Sequence, residues 1–232
     1  MREDVSKKLE SLKERHAKIY TDIVEKNYSD MRFEPKDVCG KDILDLGAHI
    51  GVFSLFCLMH GAKSVMSVEA NPKTFMELAA NTSSFREISI LNKAVTGGET
   101  AHVMMSDKDA QSMIIKEGGT KVPTVTIDEL VQVMPKSGER LLKVDIEGSE
   151  YQVLPWASAK AIRSFQIIFL ETHNVDGEPV QTYEFLKHYL ESLGYVETCK
   201  NQCFWWTFDA AGTVQEVSPI PNMGCWRFEL GE

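Results

Sequence analysis

The chain alternates between short apolar runs and longer stretches in which apolar residues recur every three or four positions. A short apolar run is typical of a strand buried on both faces, and the wider spacing is typical of a helix with one buried side. Strand and helix patterns alternate five times, and a β-hairpin with strands at 195–199 and 204–208 is predicted to follow them, ahead of a loop-like tail at 209–232. This order predicts an α/β fold with a doubly wound, mostly parallel sheet. The predicted parallel strands lie at 43–46, 64–68, 88–91, 141–144 and 165–170.

The N-terminal segment is rich in charged residues and carries a single apolar stripe. The stripe residues repeat in alternating steps of four and three, which places them on one side of a helix. We predict an N-terminal helical extension at 1–30 and a main domain at 31–232. The stripe needs a partner: either the chain's own domain, on which the helix packs or over which it forms a lid, or a second copy in a homodimer. Its members are Val5, Leu9, Leu12, His16, Ile19 and Ile23.

A glycine-containing turn joins the first predicted strand to the helix that follows it. Gly47 and Gly51 allow the backbone to turn sharply and to approach a ligand, and the free N–H groups at the start of the helix face the same place. The second strand ends in Glu69, where a carboxylate can accept hydrogen bonds from both hydroxyls of a ribose. The alternative is an ordinary turn beside a surface glutamate, but the loop and the glutamate together favour nucleoside binding.

The residue between the two glycines bears on which nucleoside is bound. Loops that bind dinucleotides have a third glycine between these two, because the pyrophosphate needs a close approach to the backbone. This chain has His49 at that place, and an imidazole there crowds a pyrophosphate. The loop therefore favours a ligand without phosphates, such as S-adenosylmethionine, over NAD.

Polar side chains follow several of the predicted strands at the point where each strand ends. In an open parallel sheet the carboxyl ends of the strands meet at one edge, and ligands bind outside that edge. The polar strand ends therefore predict a ligand site there. The side chains concerned are Glu69, Asn92, Asp145, Glu147, Glu171 and His173.

Three of these residues are candidates for acid–base chemistry. Glu147 precedes a glycine that leaves room for an acceptor, so it is predicted to accept a hydrogen bond or a proton. His173 is expected to titrate near neutral pH without a large pKa shift, and Glu171 is expected to orient it or to bind a hydroxyl. The alternative is that Glu171 and His173 cap the loop that follows them. No metal ion is predicted, because the spacing of these residues does not define a ligand geometry.

Composition and charge restrict the classes of partner and compartment. A chain of 232 residues with 43% hydrophobic residues suits one large α/β domain. The formal net charge of -9 argues against a nucleic-acid partner, and no apolar run approaches the roughly 18 residues that span a membrane. The charged N-terminus does not resemble a signal peptide, and the 5 cysteines lack the spacing of a disulfide framework. These features predict a cytoplasmic protein without a membrane partner.

Five motifs, in this order along the chain, resemble those of the FkbM-type S-adenosylmethionine-dependent methyltransferases. The resemblance covers roughly residues 40 to 200, and the block at 142–150 is its most specific part. The family usually has asparagine where this chain has His49. The five motifs are DLGAHIG at 45–51, VEANP at 68–72, NKAV at 92–95, TIDEL at 126–130 and LKVDIEGSE at 142–150.

The resemblance implies a Rossmann-like class I fold with a seven-stranded sheet whose last strand is reversed. It also implies S-adenosyl-L-methionine as cofactor and transfer of a methyl group to a hydroxyl of a glycan, a sugar or another small molecule. The alternative is a nucleoside-binding or interaction module of the same fold without catalysis. We predict catalytic roles for Glu147, Glu171 and His173, and cofactor contacts from Asp45, Gly47, His49, Gly51, Glu69, Asn71, Asn92 and Asp145.

Overall fold

A computed structural model of the protein describes residues 2–25, 34–98, 101–106, 114–115, 118–136, 138–173, 183–208 and 214–231. The strands are β1 (Asp42–Leu46), β2 (Ser64–Glu69), β3 (Ile88–Asn92), β4 (Ala94–Val95), β5 (His102–Met105), β6 (Ile114–Ile115), β7 (Thr120–Val125), β8 (Arg140–Val144), β9 (Ile167–Thr172), β10 (Tyr195–Phe208) and β11 (Val214–Leu230). The helices are α1 (Arg2–Arg15), α2 (Ala17–Tyr20), α3 (Pro35–Val38), α4 (Val52–Met59), α5 (Pro72–Thr82), α6 (Ile127–Val133), α7 (Glu150–Trp156), α8 (Ala159–Ile162) and α9 (Tyr183–Ser192), and a π-helical turn covers Thr21–Glu25.

Seven strands form the main sheet in the order β10-β11-β9-β8-β1-β2-β3. The five strands from β9 to β3 are parallel, and β11 runs antiparallel to both β9 and β10. A smaller sheet has the order β4-β7-β5-β6. The prediction of a doubly wound, mostly parallel seven-stranded sheet with a C-terminal hairpin is therefore confirmed.

The hairpin uses different residues from those predicted. Residues 195–208 form the single strand β10 rather than two strands, and its partner β11 lies in the stretch predicted to be loop-like. Trp226 and Phe228 of β11 are buried, whereas Arg227 between them forms a bidentate ion pair with Asp37 at 2.8 and 2.9 Å. The alternation of apolar and charged residues at 226–228 fits a strand, but it is short. The prediction was wrong because the partner of Arg227 is remote in sequence and meets it only in the folded chain.

Alternate residues of the parallel strands belong to two separate hydrophobic clusters. Leu44 and Leu142 belong to one cluster, and their neighbours Ile43 and Leu141 belong to the other. Successive side chains of a strand point to opposite faces, so both faces of the sheet are covered. This double burial explains why the parallel strands are nearly continuous apolar runs, and it leaves the ends of the strands as the place for polar groups.

The N-terminal helix packs on the chain's own domain. Val5, Leu9 and Leu12 of α1 are buried in the cluster that includes helix α4. The helix ends before His16, whose backbone (φ -134, ψ 50) is not helical, so the predicted continuous helix is interrupted, and residues 26–30 of it lie outside the described residues. The division into an extension and a domain, and the homodimer, stay predictions. Among the helices described, none combines the length and the apolar character that crossing a bilayer requires.

Candidate functional site

The loop after β1 has three residues in the left-handed region, namely Gly47 (φ 78), His49 (φ 49) and Gly51 (φ 91). A Cβ on Gly47 would lie 1.7 Å from the carbonyl oxygen of Asp145, and one on Gly51 would lie 2.8 Å from the side chain of Leu78. The backbone of Asp145 therefore requires glycine at position 47, and the left-handed backbone at φ 91 favours glycine at position 51, in addition to the approach of a ligand that the sequence suggested. The loop is held tightly against β8 and α5 at the carboxyl edge of the sheet.

Glu69 at the end of β2 holds the middle of this loop. Its two carboxylate oxygens accept hydrogen bonds from the backbone N–H groups of His49 at 2.9 Å and Asn71 at 2.8 Å. Burial raises the pKa of Glu69, and the two N–H groups partly oppose that shift. Asn92 at the end of β3 donates to the carbonyl oxygens of Glu69 and Ala70 at 2.9 and 3.0 Å. The structure therefore brings four predicted cofactor residues into one group.

Two members of this group also have structural roles. The side chain of Asn71 caps helix α5 by accepting a hydrogen bond from the N–H of Lys73 at 2.9 Å, and Asn71 is only 4% exposed. The amide of Asn92 fixes the turn after β2, as its two hydrogen bonds show. Direct contacts of Asn71 and Asn92 with the cofactor stay predictions.

Lys143, which the sequence analysis did not single out, lies between the loop and the other polar strand ends. Its ammonium group donates to the carbonyl oxygen of Gly47 at 2.7 Å, and it lies 3.3 Å from Asp45 Oδ1 and 3.2 Å from Asp145 Oδ2. The signal in the sequence is a lysine inside an apolar strand, because a buried ammonium requires partners.

Asp45 is fully buried, accepts a hydrogen bond from Ser54 at 2.7 Å, and lies behind the loop. Its direct contact with the cofactor stays a prediction.

His173 lies at the centre of a cluster of carboxylates. Its Nδ1 is 2.8 Å from Glu150 Oε1, and its Nε2 faces three further carboxylate oxygens. These are Glu147 Oε2 at 3.7 Å, Glu171 Oε1 at 3.8 Å and Asp145 Oδ1 at 3.9 Å. The three predicted catalytic residues and Asp145 are therefore neighbours.

Glu150 organises this cluster, and the sequence analysis assigned it no role. It is fully buried, and its Oε1 also accepts hydrogen bonds from the N–H groups of Ile146 and Gly148, both at 3.2 Å. These bonds hold a turn in which Glu147 (φ 52) and Gly148 (φ 99) are both left-handed. The available signal was an acidic residue in the first turn of a helix that begins two residues after Gly148.

The cluster shifts the pKa values of its members. Burial lowers the pKa of His173, but the hydrogen bond and charge of Glu150, together with the charges of Asp145 and Glu171, outweigh burial and raise it to about 10. Burial and the charge of Asp145 raise the pKa of Glu171 to about 8, and burial raises that of Glu147. The predicted titration of His173 near neutrality is therefore corrected: the imidazole is charged at pH 7 and has no lone pair with which to accept a proton.

Comparisons with known proteins bear on the family and the fold. The hexuronic acid methyltransferase AglP of Haloferax volcanii is 26% identical to this chain over 137 residues, which cover 57% of this chain and 56% of AglP. The match thus spans just over half of that relative's length. The crystal structure of a SAM-dependent methyltransferase from Agrobacterium tumefaciens has a TM-score of 0.51 and 12% identity, and the match covers 91% of this chain and 63% of that one. This second likeness supports the fold.

The family comparison covers the site itself. Residues 45–197 match the Methyltransferase FkbM domain. The matched region begins at Asp45, before the glycine loop, and extends beyond His173, so it includes both groups of polar strand ends. With more than half of the sequence matched, the chain belongs to the FkbM family of methyltransferases, whose cofactor is S-adenosyl-L-methionine.

Proposed function

We propose that this protein transfers the methyl group of S-adenosyl-L-methionine to a hydroxyl group of a sugar or another small molecule. The observation that carries the proposal is the contact of Lys143 with both Gly47 and Asp145, at 2.7 and 3.2 Å. One buried side chain therefore contacts both the predicted cofactor loop and the carboxylate cluster. A donor site and an acceptor site must be adjacent for such a transfer, because positioning supplies much of the acceleration.

The loop and Glu69 suit the cofactor by the chemistry of their groups. The carboxylate of Glu69 is bonded to the loop backbone through one N–H group on each oxygen, and each oxygen has lone pairs left for the hydroxyls of a ribose. Gly47, His49, Gly51 and Asn92 would line the same site. The bound cofactor supplies a methyl group that a sulfonium has already activated.

The carboxylate cluster suits a hydroxyl acceptor. In their ionised forms Glu147 and Glu171 can accept hydrogen bonds from hydroxyl groups, and because burial raises the pKa of both, each ionised carboxylate is a stronger base than an exposed glutamate. In the proposed reaction, the hydroxyl oxygen forms a bond to the methyl carbon while the carbon–sulfur bond breaks and its electron pair stays on sulfur. The hydroxyl proton passes to one of these two carboxylates. The hexuronic acid named in the relative AglP supports a sugar as the acceptor class.

Two measurements on the full chain test the proposal. Calorimetric titrations with S-adenosylmethionine, S-adenosylhomocysteine and NAD should show binding of the first two and none of NAD. Incubation with methyl-labelled cofactor and a panel of hexoses and hexuronic acids should place the label in a base-stable ether. A base-labile ester would contradict transfer to a hydroxyl. Binding of the cofactor with no transfer to any glycan or metabolite pool would favour the alternative, a nucleoside-binding module without catalysis.

A further inference from the structure

We propose that Asp145, Glu171 and His173 bind a divalent metal ion at the carboxyl edge of the sheet. Among the described residues, these three offer one ligand atom each, and the three atoms lie within 4.8 Å of one another. They come from two adjacent strands, since Asp145 follows β8 and the other two lie at the end of β9. Binding of the ion is independent of the proposed function; its role in methyl transfer rests on that function.

The spacing of the ligand atoms suits a shared ion. His173 Nε2 is 3.9 Å from Asp145 Oδ1 and 3.8 Å from Glu171 Oε1. These separations are too long for hydrogen bonds. Two ligand atoms that each lie about 2.1–2.4 Å from one ion are roughly 3 to 4 Å apart. The two separations from Nε2 fall in this range, and all three atoms lie within 4.8 Å of one another.

The other nitrogen of the imidazole is already held as in many metal sites. A histidine that binds a metal commonly donates its second ring N–H to a carboxylate, which fixes the ring and its tautomer. Here Glu150 Oε1 lies 2.8 Å from Nδ1. When the charged imidazole releases the proton of Nε2 on binding an ion, the proton that stays on Nδ1 leaves the lone pair on Nε2, which faces the other two ligands. In the same way Lys143 contacts Oδ2 of Asp145 at 3.2 Å, so Oδ1 is the oxygen that faces the imidazole.

The balance of charge gives an independent reason for a cation. Four carboxyl groups surround His173, and among the described residues Lys143 is a further positive group in contact with one of them, Asp145. Oε2 of the fully buried Glu150 has no hydrogen-bond partner within the part of the chain that the structure describes. A buried carboxylate oxygen without a partner is costly unless a nearby positive charge compensates it. The charged His173 supplies this charge in the ion-free protein, and a divalent ion beside the ring would supply it once the ring has released a proton.

The ligand set also indicates the type of ion and what it would do. Carboxylates suit Mg²⁺, Ca²⁺ and Mn²⁺, and imidazole suits transition metals, so two carboxylates with one imidazole fit an ion of the Mn²⁺ type. Such an ion would bind a hydroxyl of the acceptor and make its proton easier to remove. Glu147 Oε2, 3.7 Å from Nε2, is placed beside the ion to take that proton.

The test uses Mn²⁺ alone with the full chain, without cofactor or acceptor. Calorimetry and the electron paramagnetic resonance of free Mn²⁺ should show one binding site, and Mn²⁺ should raise the melting temperature. Glu171→Gln and Asp145→Asn should each bind Mn²⁺ at least tenfold more weakly and lose the melting shift. The matched control is Glu139→Gln, at the opposite end of β8, where the glutamate side chain is 64% exposed and pairs with Lys41; it should bind as the wild type does.

The proposal fails if the wild type does not bind Mn²⁺, or if both variants bind it with unchanged affinity. Circular dichroism shows which variants are folded. Two ligand variants are made, so that the test can still be carried out if only one of them folds. Titration of S-adenosylhomocysteine in the presence of EDTA reports separately on the proposed function. A protein that binds this ligand but no Mn²⁺ overturns only the metal site. One that binds Mn²⁺ through these residues but transfers no methyl group overturns only the proposed function.

Discussion

Nδ1 of His173 lies 2.8 Å from Oε1 of the fully buried Glu150, and this contact orients the imidazole so that its Nε2 faces three other carboxyl groups. The same carboxylate oxygen accepts the N–H groups of Ile146 and Gly148. One buried side chain therefore sets both the ring orientation and the turn that carries Glu147. Glu150 is a positioning residue, and its removal has consequences that can be measured without any substrate.

We expect Glu150→Gln to lower the pKa of His173 from about 10 toward the ordinary value of 6.5. Because its pKa is raised on folding, His173 stabilises the ion-free fold fully below pH 6.5, and this contribution is lost as the pH rises through about 10. Urea unfolding in EDTA should therefore show a steeper loss of unfolding free energy over this range in the wild type than in Glu150→Gln. The imidazole resonances of His173 should report the pKa directly.

The conservative change Glu139→Gln is the control for that experiment, because this exposed glutamate lies away from the cluster. His173→Asn should remove the additional pH dependence altogether. A wild-type His173 that titrates near 6.5 would show that Glu150 does not hold the charged imidazole. Since a metal ligand must lose its proton, Mn²⁺ should bind more tightly as the pH rises.

Glu69→Ala should weaken the binding of S-adenosylhomocysteine roughly tenfold to a hundredfold, because hydrogen bonds to a charged group contribute about 1.5–3 kcal/mol. Calorimetric titration measures the change. The control is Glu77→Gln on α5, where the glutamate side chain is 54% exposed. Unchanged affinity in a folded Glu69→Ala protein would contradict the predicted ribose contact and leave Glu69 as a support of the loop and of helix α5.

Lys143→Met should destabilise the fold by about 3–5 kcal/mol, because it leaves Asp45 and Asp145 without the cation that they share in a buried place. Urea unfolding measures the loss. Adding Asp45→Asn should recover part of it, since the second change removes one of the uncompensated charges. The exposed Lys160→Met is the control and should stay within about 0.5 kcal/mol of the wild type. A small effect of Lys143→Met would mean that water reaches these carboxylates.

His49→Asn should leave the stability and the cofactor affinity close to those of the wild type, whereas His49→Val should cost about 1–2 kcal/mol. The reason is the left-handed backbone of His49 (φ 49), which asparagine adopts readily and a β-branched residue does not. Thermal unfolding and titration with S-adenosylhomocysteine test both variants. Equal stability of the two variants would show that the loop relaxes out of the left-handed region.

Leu12→Ala should destabilise the chain by about 2–5 kcal/mol, because this fully buried side chain packs within the domain. Sedimentation of the full chain, of this variant and of a chain without residues 1–28 tests the role of the helix. We expect the full chain to sediment as a monomer. A dimer that becomes a monomer on truncation would instead assign the N-terminal helix to the homodimer interface.

The local elements around the loop could be predicted from the sequence, because short-range patterns determine them. The apolar run ending at Leu46, the turn with Gly47 and Gly51, and the cap at Asn71 each depend on neighbours within a few residues. The rule that parallel strands share a carboxyl edge then brought Glu69 and the later polar strand ends to the same side. Nucleoside binding and the fold class follow from these features alone.

The C-terminal hairpin shows where that reasoning ends. The sequence indicated a hairpin, but the strand β11 that lies between β9 and β10 was predicted to be loop. Its strand character depends on partners: Trp226 lies opposite Leu170, and Arg227 meets Asp37, which is 190 positions away. No local sequence pattern indicates these pairings, so the strand character of β11 is evident only in the assembled sheet.

The contacts of the site were likewise decided by the tertiary structure. The register that pairs Leu46 with Val144 brings Lys143 to Gly47, 96 positions away in sequence. The fold places Glu150, the first residue of α7, beside His173, which follows β9, and their contact raises a pKa of His173 that was expected to be ordinary. Residue types and strand ends are properties of the sequence. The distances between remote groups, their burial and the interaction of their charges exist only once the chain has folded. These tertiary properties determine which nitrogen of His173 faces the site and which carboxylate can accept a proton.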